Sequence, residues 1–239
     1  MPSFLRHAVA SAVAALATSL AGADVIVGWT IPTAFPTGAG NVPTGFTYLP
    51  PGPNGDGVAD QGNTAGTELR SVHAVAAATY TSPAGNGSAR SFSSNNWSPG
   101  DYYQATFSTA GYTDISLSWD QARSSTGPAE FRVLMSLDGG SSFSELLSYT
   151  VLQSGGGGAP GTWSSTTYNP LYTNILSLGA LAADQGQVII RFQNFESVVS
   201  TASGTNRIDD IFVNGTVIPA PGALALLGLA GLASRRRRR

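Results

Sequence analysis

Apolar and polar residues alternate at period two along most of the middle of this chain. Tyr102-Tyr-Gln-Ala-Thr-Phe-Ser108, Thr113-Asp-Ile-Ser-Leu-Ser-Trp119 and Glu130-Phe-Arg-Val-Leu-Met-Ser-Leu137 carry the pattern on β-branched and aromatic residues, each bounded by Gly, Pro, Asn or Asp. Successive side chains of a strand point to opposite faces, so this alternation marks strands with one buried and one solvated face. The same reading predicts strands over Asp24 to Trp29, Phe143 to Leu152, Trp163 to Tyr168, Gln187 to Asn194 and Arg207 to Val213, with Ser91 to Ser93 weaker. Glu68 to Tyr80 fits helical spacing through Leu69, Val72, His73 and Ala76, but Val72, His73, Val75 and Tyr80 favour a strand. Eight or more such segments predict an all-β protein, an antiparallel two-sheet jelly-roll-like sandwich. Ile31 to Asp60, with Pro32, Pro36, Pro43, Pro50, Pro51 and Pro53, predicts long turns, and Ser154 to Gly161, with four consecutive glycines, a flexible connection.

Both ends depart from the strand pattern. Arg6 and His7 precede an apolar stretch from Ala8 to Leu20 that closes on Ala21-Gly22-Ala23, the order of a signal peptide cut by signal peptidase, with Asp24 the first mature residue. At the other end Pro219, Ala220 and Pro221 are followed by an apolar run from Gly222 to Ala233 and by Arg235, Arg236, Arg237, Arg238 and Arg239. The twelve apolar residues make about 18 Å of helix against a hydrocarbon core of about 30 Å. Extension back to Val217 and snorkelling arginine stems bring this short transmembrane helix near the span of a thin bilayer, and the arginines fix its cytoplasmic end. Either as a plain anchor or as a processed signal, it places the intervening chain outside. The chain thus divides into 1–23, a signal peptide; 24–217, a passenger; and 218–239, a sorting segment.

The C-terminal order resembles the PEP-CTERM sorting signal of bacterial surface and exopolysaccharide-associated proteins, with Ala220 where the motif has glutamate. That resemblance implies transient anchoring in the cytoplasmic membrane and recognition by an exosortase, a membrane cysteine transpeptidase. From Ser91 onward the chain also resembles PEP-CTERM-bearing proteins with a galactose-binding-like or lectin-like sandwich. The phrases concerned are Ser91-Phe-Ser-Ser-Asn-Asn-Trp-Ser-Pro-Gly-Asp-Tyr-Tyr103, Ser124-Ser-Thr-Gly-Pro128, Ser136-Leu-Asp-Gly-Gly140 and Gly204-Thr-Asn-Arg-Ile-Asp-Asp-Ile-Phe-Val-Asn-Gly215. This second resemblance implies a fold and a location at the cell envelope surface or in the extracellular matrix, and no activity.

Setting the two signals aside changes the charge. The passenger's six arginines face fourteen carboxylates, a formal charge of −8 where the whole chain carries −2, and there is no lysine. So acidic a field disfavours nucleic acid, whose phosphates need a basic surface. The absence of cysteine excludes a disulfide framework, so the passenger rests on its core.

These residues restrict the chemistry. His73 is the passenger's single histidine. It stands alone against the two or three histidines of the usual catalytic zinc sites, and no Gly-x-Ser-x-Gly elbow accompanies it for nucleophilic catalysis. Paired carboxylates of a glycoside hydrolase remain a lesser alternative, with Asp114, Asp120, Glu130 and Glu145 near adjacent predicted strands. Calcium suits the oxygen donors better: Asn54, Asp56 and Asp60 form one cluster and Asp209 with Asp210 a second, the first also readable as an Asn-Gly and Asp-Gly turn and the second as an Asp210 hydrogen bond to a neighbouring loop. Ser136-x-Asp138-x-Gly140-x-x-Phe143 resembles an Asp-box, whose role is to hold a β-hairpin turn. Sugar stacking can draw on Trp97, Tyr102, Tyr103, Trp119, Trp163, Tyr168 and Tyr172, among which Trp97 and Tyr172, beside turn residues, are expected to be the most exposed.

Two functional readings emerge. In the first, the passenger is a non-enzymatic surface or matrix protein, structural or adhesive within an exopolysaccharide layer or biofilm. In the second, it is a carbohydrate-binding module. N-terminal sequencing of the exported protein is expected to begin at Asp24.

Overall fold

The computed structural model describes residues 23–33, 47–48, 57–75, 78–155, 159–196 and 204–219. Among them thirteen strands, numbered in chain order, build two antiparallel sheets. The first sheet runs β11 (Thr173–Ser177), β8 (Tyr112–Arg123), β13 (Asn206–Val217), β1 (Asp24–Trp29), β3 (Gln61–Gly62), with β6 (Phe92–Ser94) also on β13 and β5 (Tyr80–Thr81) on β6. The second runs β10 (Ser144–Thr150), β9 (Glu130–Ser136), β12 (Val188–Asn194), β7 (Tyr102–Phe107), β4 (Glu68–Val72), β2 (Thr47–Tyr48). The expected two-sheet sandwich is therefore the fold.

The core lies between the inner faces, where the period-two alternation puts it. Ile115, Leu117 and Trp119 of β8 and Ile208, Ile211 and Val213 of β13 meet Tyr103, Ala105 and Phe107 of β7, Phe131 and Val133 of β9, and Ile190 and Phe192 of β12. Trp119 and Phe192 join the two layers with ring centres 5.0 Å apart. Trp97 sits on Tyr103 at 4.9 Å and Phe131 at 5.5 Å, both edge-on, the geometry that aligns a ring's positive edge with its neighbour's negative face. Gly28 is required by close approach: a Cβ there would lie 2.5 Å from the Phe212 ring.

Two local expectations change, and one strand, β11, has no signal in the sequence. Within Glu68 to Tyr80 only Glu68–Val72 and Tyr80–Thr81 are strands, the second on the other sheet. Trp163 to Tyr168 is not a strand. Its aromatics serve loop packing instead of a ladder: Trp163 Nε1 donates to the Ala84 carbonyl at 2.7 Å and its ring meets Tyr172 edge-on at 5.2 Å. β11 carries no clear alternation yet pairs with β8 from Thr173 to Ser177, because it closes the sheet edge. The apolar segments at both ends lie outside the described residues, among which no helix is long and apolar enough to cross a membrane.

Trp97→Ala should lower the unfolding free energy by about 3–5 kcal/mol. Urea denaturation of the variant against the parent protein measures it.

Candidate functional site

Inward-pointing residues on the second sheet leave the alternate residues on its outer face. Arg70 of β4, Gln104 of β7, Arg191 of β12, Leu134 of β9 and Glu145 of β10 are register partners in turn, forming one row across five strands. Tyr102, Gln193, Arg132 and Ser148 form the row beside it. Arg191 is the centre. Its guanidinium carbon lies 4.1 Å from the Tyr102 ring centre and 4.0 Å from that of Phe143, while Nε donates to Gln104 Oε1 at 2.8 Å. A guanidinium so held is fixed in plane and in direction. Burial pulls its pKa down, and the nearby charge of Arg70 pulls the same way against Tyr102. Arg132 donates through Nε and Nη2 to Gln193 Oε1, at 2.9 and 2.7 Å, and lies 6.0 Å from the ring centre of Phe195.

Phe143 reaches Arg191 because of the turn before it. In the β9–β10 hairpin Asp138 Oδ1 accepts from Ser136 Oγ at 2.7 Å and from the Ser142 amide at 3.0 Å, and Oδ2 accepts from Ser142 Oγ at 2.5 Å. These hydrogen bonds, that of the Ser142 hydroxyl foremost, hold the Asp138 carboxyl well below the usual range. Gly139 and Gly140 take positive φ of 72° and 89°, which lets the chain reverse. The Asp-box is thus a local fold element, and its last residue, Phe143, is delivered onto the sheet.

The two residues expected to stack on sugar do not lie on this face. Trp97 is 0% and Tyr172 1% exposed. A turn beside an aromatic does not expose it when the ring fills the core, as Trp97 does, or when a loop folds over it: Tyr172 OH donates to the carbonyls of Gln153 and Gly161. Arg191, Phe143 and Gln104 were not marked as a site by sequence, because an arginine within an alternating strand and a phenylalanine after a turn have no motif of their own. Tyr102 belonged to the wider aromatic set.

The four carboxylates expected to share a surface are separated. Asp114 and Asp120 lie on β8 in the first sheet, Glu130 and Glu145 on β9 and β10 in the second, so the sandwich stands between the pairs. A Ser-His-Asp arrangement does form, from residues far apart in sequence. His73 Nε2 is 3.0 Å from Ser94 Oγ and Nδ1 3.0 Å from Asp101 Oδ2. All three are buried, with the imidazole against Trp97 and Tyr80, and Asp101 also accepts from the Ala74 and Ser98 amides. Closed to any substrate, this group ties the 73–74 turn and the 98–101 loop to β6; it is a structural clamp.

Of the calcium candidates, Asn54 and Asp56 lie outside the described residues. The others draw together on the outer face of the first sheet. Asp209 is the register partner of Asp120, and Asp210 sits in a bulge with a positive φ of 44°. Asp209 Oδ2 accepts from Ser88 Oγ at 2.6 Å and the Asn86 amide at 3.0 Å, but Oδ1 is buried without a well-aligned donor. Burial and then the neighbouring Asp210 raise the Asp209 carboxyl; burial, Asp120 and Asp60 raise that of Asp210. Asp60 itself accepts from the Thr30 amide at 2.8 Å and from the Thr30 hydroxyl. No three His, Asp or Glu side chains converge into a metal-holding group among the described residues. Pro219 is exposed at the end of the described chain, whereas Ala220, Pro221 and Arg235 to Arg239 lie outside it.

No protein-family model and no curated protein matches this chain. Among solved structures it is similar to the K3 cleaved adhesin domain of Lys-gingipain from Porphyromonas gingivalis, at 15% identity and a TM-score of 0.42 over 80% of this chain and 98% of that one. It is also similar to a Clostridium thermocellum chain, the CBM22-1-GH10 modules of xylanase 10B, at 14% identity and a TM-score of 0.41, over 82% of this chain and 30% of that one. A third is the N-terminal cellulose-binding domain of β-1,4-glucanase C from Cellulomonas fimi, at 16% identity and a TM-score of 0.30, over 74% and 99%. At these values the function is read from this chain's own residues.

The acidic face makes stability depend on pH. In the unfolded chain the Asp209 and Asp210 carboxyls lose their protons near pH 4; in the folded chain they hold them to higher pH. The folded state therefore binds more protons above about pH 4 and loses stability as pH rises into the neutral range. Melting temperatures in chelator should fall over that interval, and Asp209→Asn should flatten the fall.

Proposed function

We propose that this chain is an exported, non-enzymatic surface protein that binds glycan through the outer face of β4, β7, β12, β9 and β10. The observation that carries the reading is Arg191 held between Tyr102 and Phe143 in the middle of an otherwise polar sheet face. Sugar sites combine aromatic surface, which meets the apolar face of a pyranose, with planar hydrogen-bonding groups at fixed positions. Here Tyr102 and Phe143 are part-exposed, Phe195 is 41% exposed, and Gln193, Arg132 and Arg191 supply the planar groups from a rigid sheet. In this reading signal peptidase and an exosortase handle the ends, the cytoplasmic membrane holds the protein transiently, and the ligand belongs to the exopolysaccharide outside. A structural or adhesive role without glycan binding is the second reading, supported by the signals alone.

Glycan-array binding followed by affinity electrophoresis tests the main reading. Tyr102→Ala and Phe143→Ala should each weaken binding about tenfold or more, equivalent to about 1.4 kcal/mol, with melting profiles that remain cooperative. Absence of binding to acidic and neutral glycans alike would leave the structural role.

A further inference from the structure

We infer that the ligand of this face is an acidic polysaccharide, with Arg191 pairing to the carboxylate of a uronic acid unit; the inference rests on the reading of the face as a glycan site. The distribution of positive charge points there. Of the passenger's six arginines, Arg70, Arg132 and Arg191 lie on this one face. The other three are engaged elsewhere: Arg90 donates to the Pro32 carbonyl, Arg123 to those of Val151, Ser124 and Ser125, and Arg207 lies part-buried near the Trp163 ring.

On the face itself the three arginines differ in what they still offer. Arg70 Nε lies 3.3 Å from Glu68 Oε1. Arg132 is committed to Gln193, and its Nη1 lies 3.5 Å from Glu145 Oε2. Arg191 is different. Its one hydrogen bond among the described residues runs from Nε to a neutral amide oxygen, and no carboxylate there lies at ion-pair distance from it. Nη1 and Nη2 therefore form a two-donor edge without an acceptor among the described residues, on a guanidinium flanked by the Tyr102 and Phe143 rings. Such an edge matches the two oxygens of a carboxylate, and because the rings already fix its plane, little ordering remains to be done on binding.

The passenger's overall charge of −8 does not cancel this. Asp120, Asp209 and Asp210 belong to the outer side of the opposite sheet, with the packed core between them and this face. A polyanion approaching β12 meets the arginine row first. Glu68 on β4 and Glu145 on the edge strand β10 stand at the two ends of the row, and Glu130 faces the same side at the start of β9 opposite Thr150, so among the described residues no carboxylate lies at ion-pair distance from Arg191 on β12.

The test compares the full-length protein with polygalacturonate, its carboxyl-reduced neutral counterpart, dextran sulfate and single-stranded DNA by affinity electrophoresis and calorimetry. The expected result is at least tenfold tighter binding to polygalacturonate than to the reduced polymer. Arg191→Gln should abolish that preference, its affinity for polygalacturonate falling at least tenfold to the level of the reduced polymer or below. Arg191→Lys, which keeps the charge without the planar fork, should retain only part of it, and it carries the comparison should the glutamine variant fail to give a cooperative melt. Equal affinity for both polymers, or a preference that survives at both variants, overturns the inference and leaves the glycan reading standing. Sulfate polymer or DNA bound as tightly as polygalacturonate would show a general anion site and overturn it too. No binding to any polymer overturns the glycan reading as well.

Discussion

Trp119 of β8 against Phe192 of β12, with ring centres 5.0 Å apart, is the contact on which the rest of the molecule depends. It joins one sheet to the other, and in a strand the direction of one side chain dictates the direction of the next. With Phe192 inward, Arg191 must stand on the outer face of the second sheet. With Trp119 inward, Asp120 must stand on the outer face of the first. A slip of one residue in either strand would bury a charge and expose a ring at once, so the aromatic core fixes both outer faces as firmly as it fixes itself.

The two faces carry opposite characters. The first gathers Asp120, Asp209 and Asp210 beneath the segment holding Asn86 and Ser88, where burial and mutual repulsion hold protons on the carboxyls. The second spaces arginines among aromatic and amide side chains, and a hairpin turn organised by Asp138 lays Phe143 on Arg191. Asp120, Asp209 and Asp210 of the first sheet and the Arg191 stack of the second thus end on opposite sides of a hydrophobic layer, which lets an acidic chain present a guanidinium that no carboxylate among the described residues pairs.

Burial also decides what the buried polar groups do. Ser94, His73 and Asp101 have hydrogen-bonding distances compatible with a hydrolase, yet they lie under Trp97 and Tyr80 with Asp101 occupied by two backbone amides. Geometry of this kind without access is a way to satisfy polar groups in a core. The same arrangement explains why Trp97 is structural: its indole closes the chamber that holds His73.

Sequence alone determined the sandwich, because period-two alternation is a local property and each of β1, β7, β8, β9, β10, β12 and β13 could be read from its own residues. It also determined the Asp-box turn, whose hydrogen bonds span only Ser136 to Ser142, and the formal charge of −8 over residues 24–217. Tertiary structure decided the rest. It buried Trp97 and Tyr172, turned Trp163 to Tyr168 into loop packing, parted Asp120 from Glu130, and brought Arg191, Tyr102 and Phe143 into one stack. The reason is physical: alternation says which residues share a face of their own strand, whereas a site depends on which strands become neighbours. That pairing is set by contacts between residues as distant as Tyr102 and Gln193, whose adjacency no local pattern encodes.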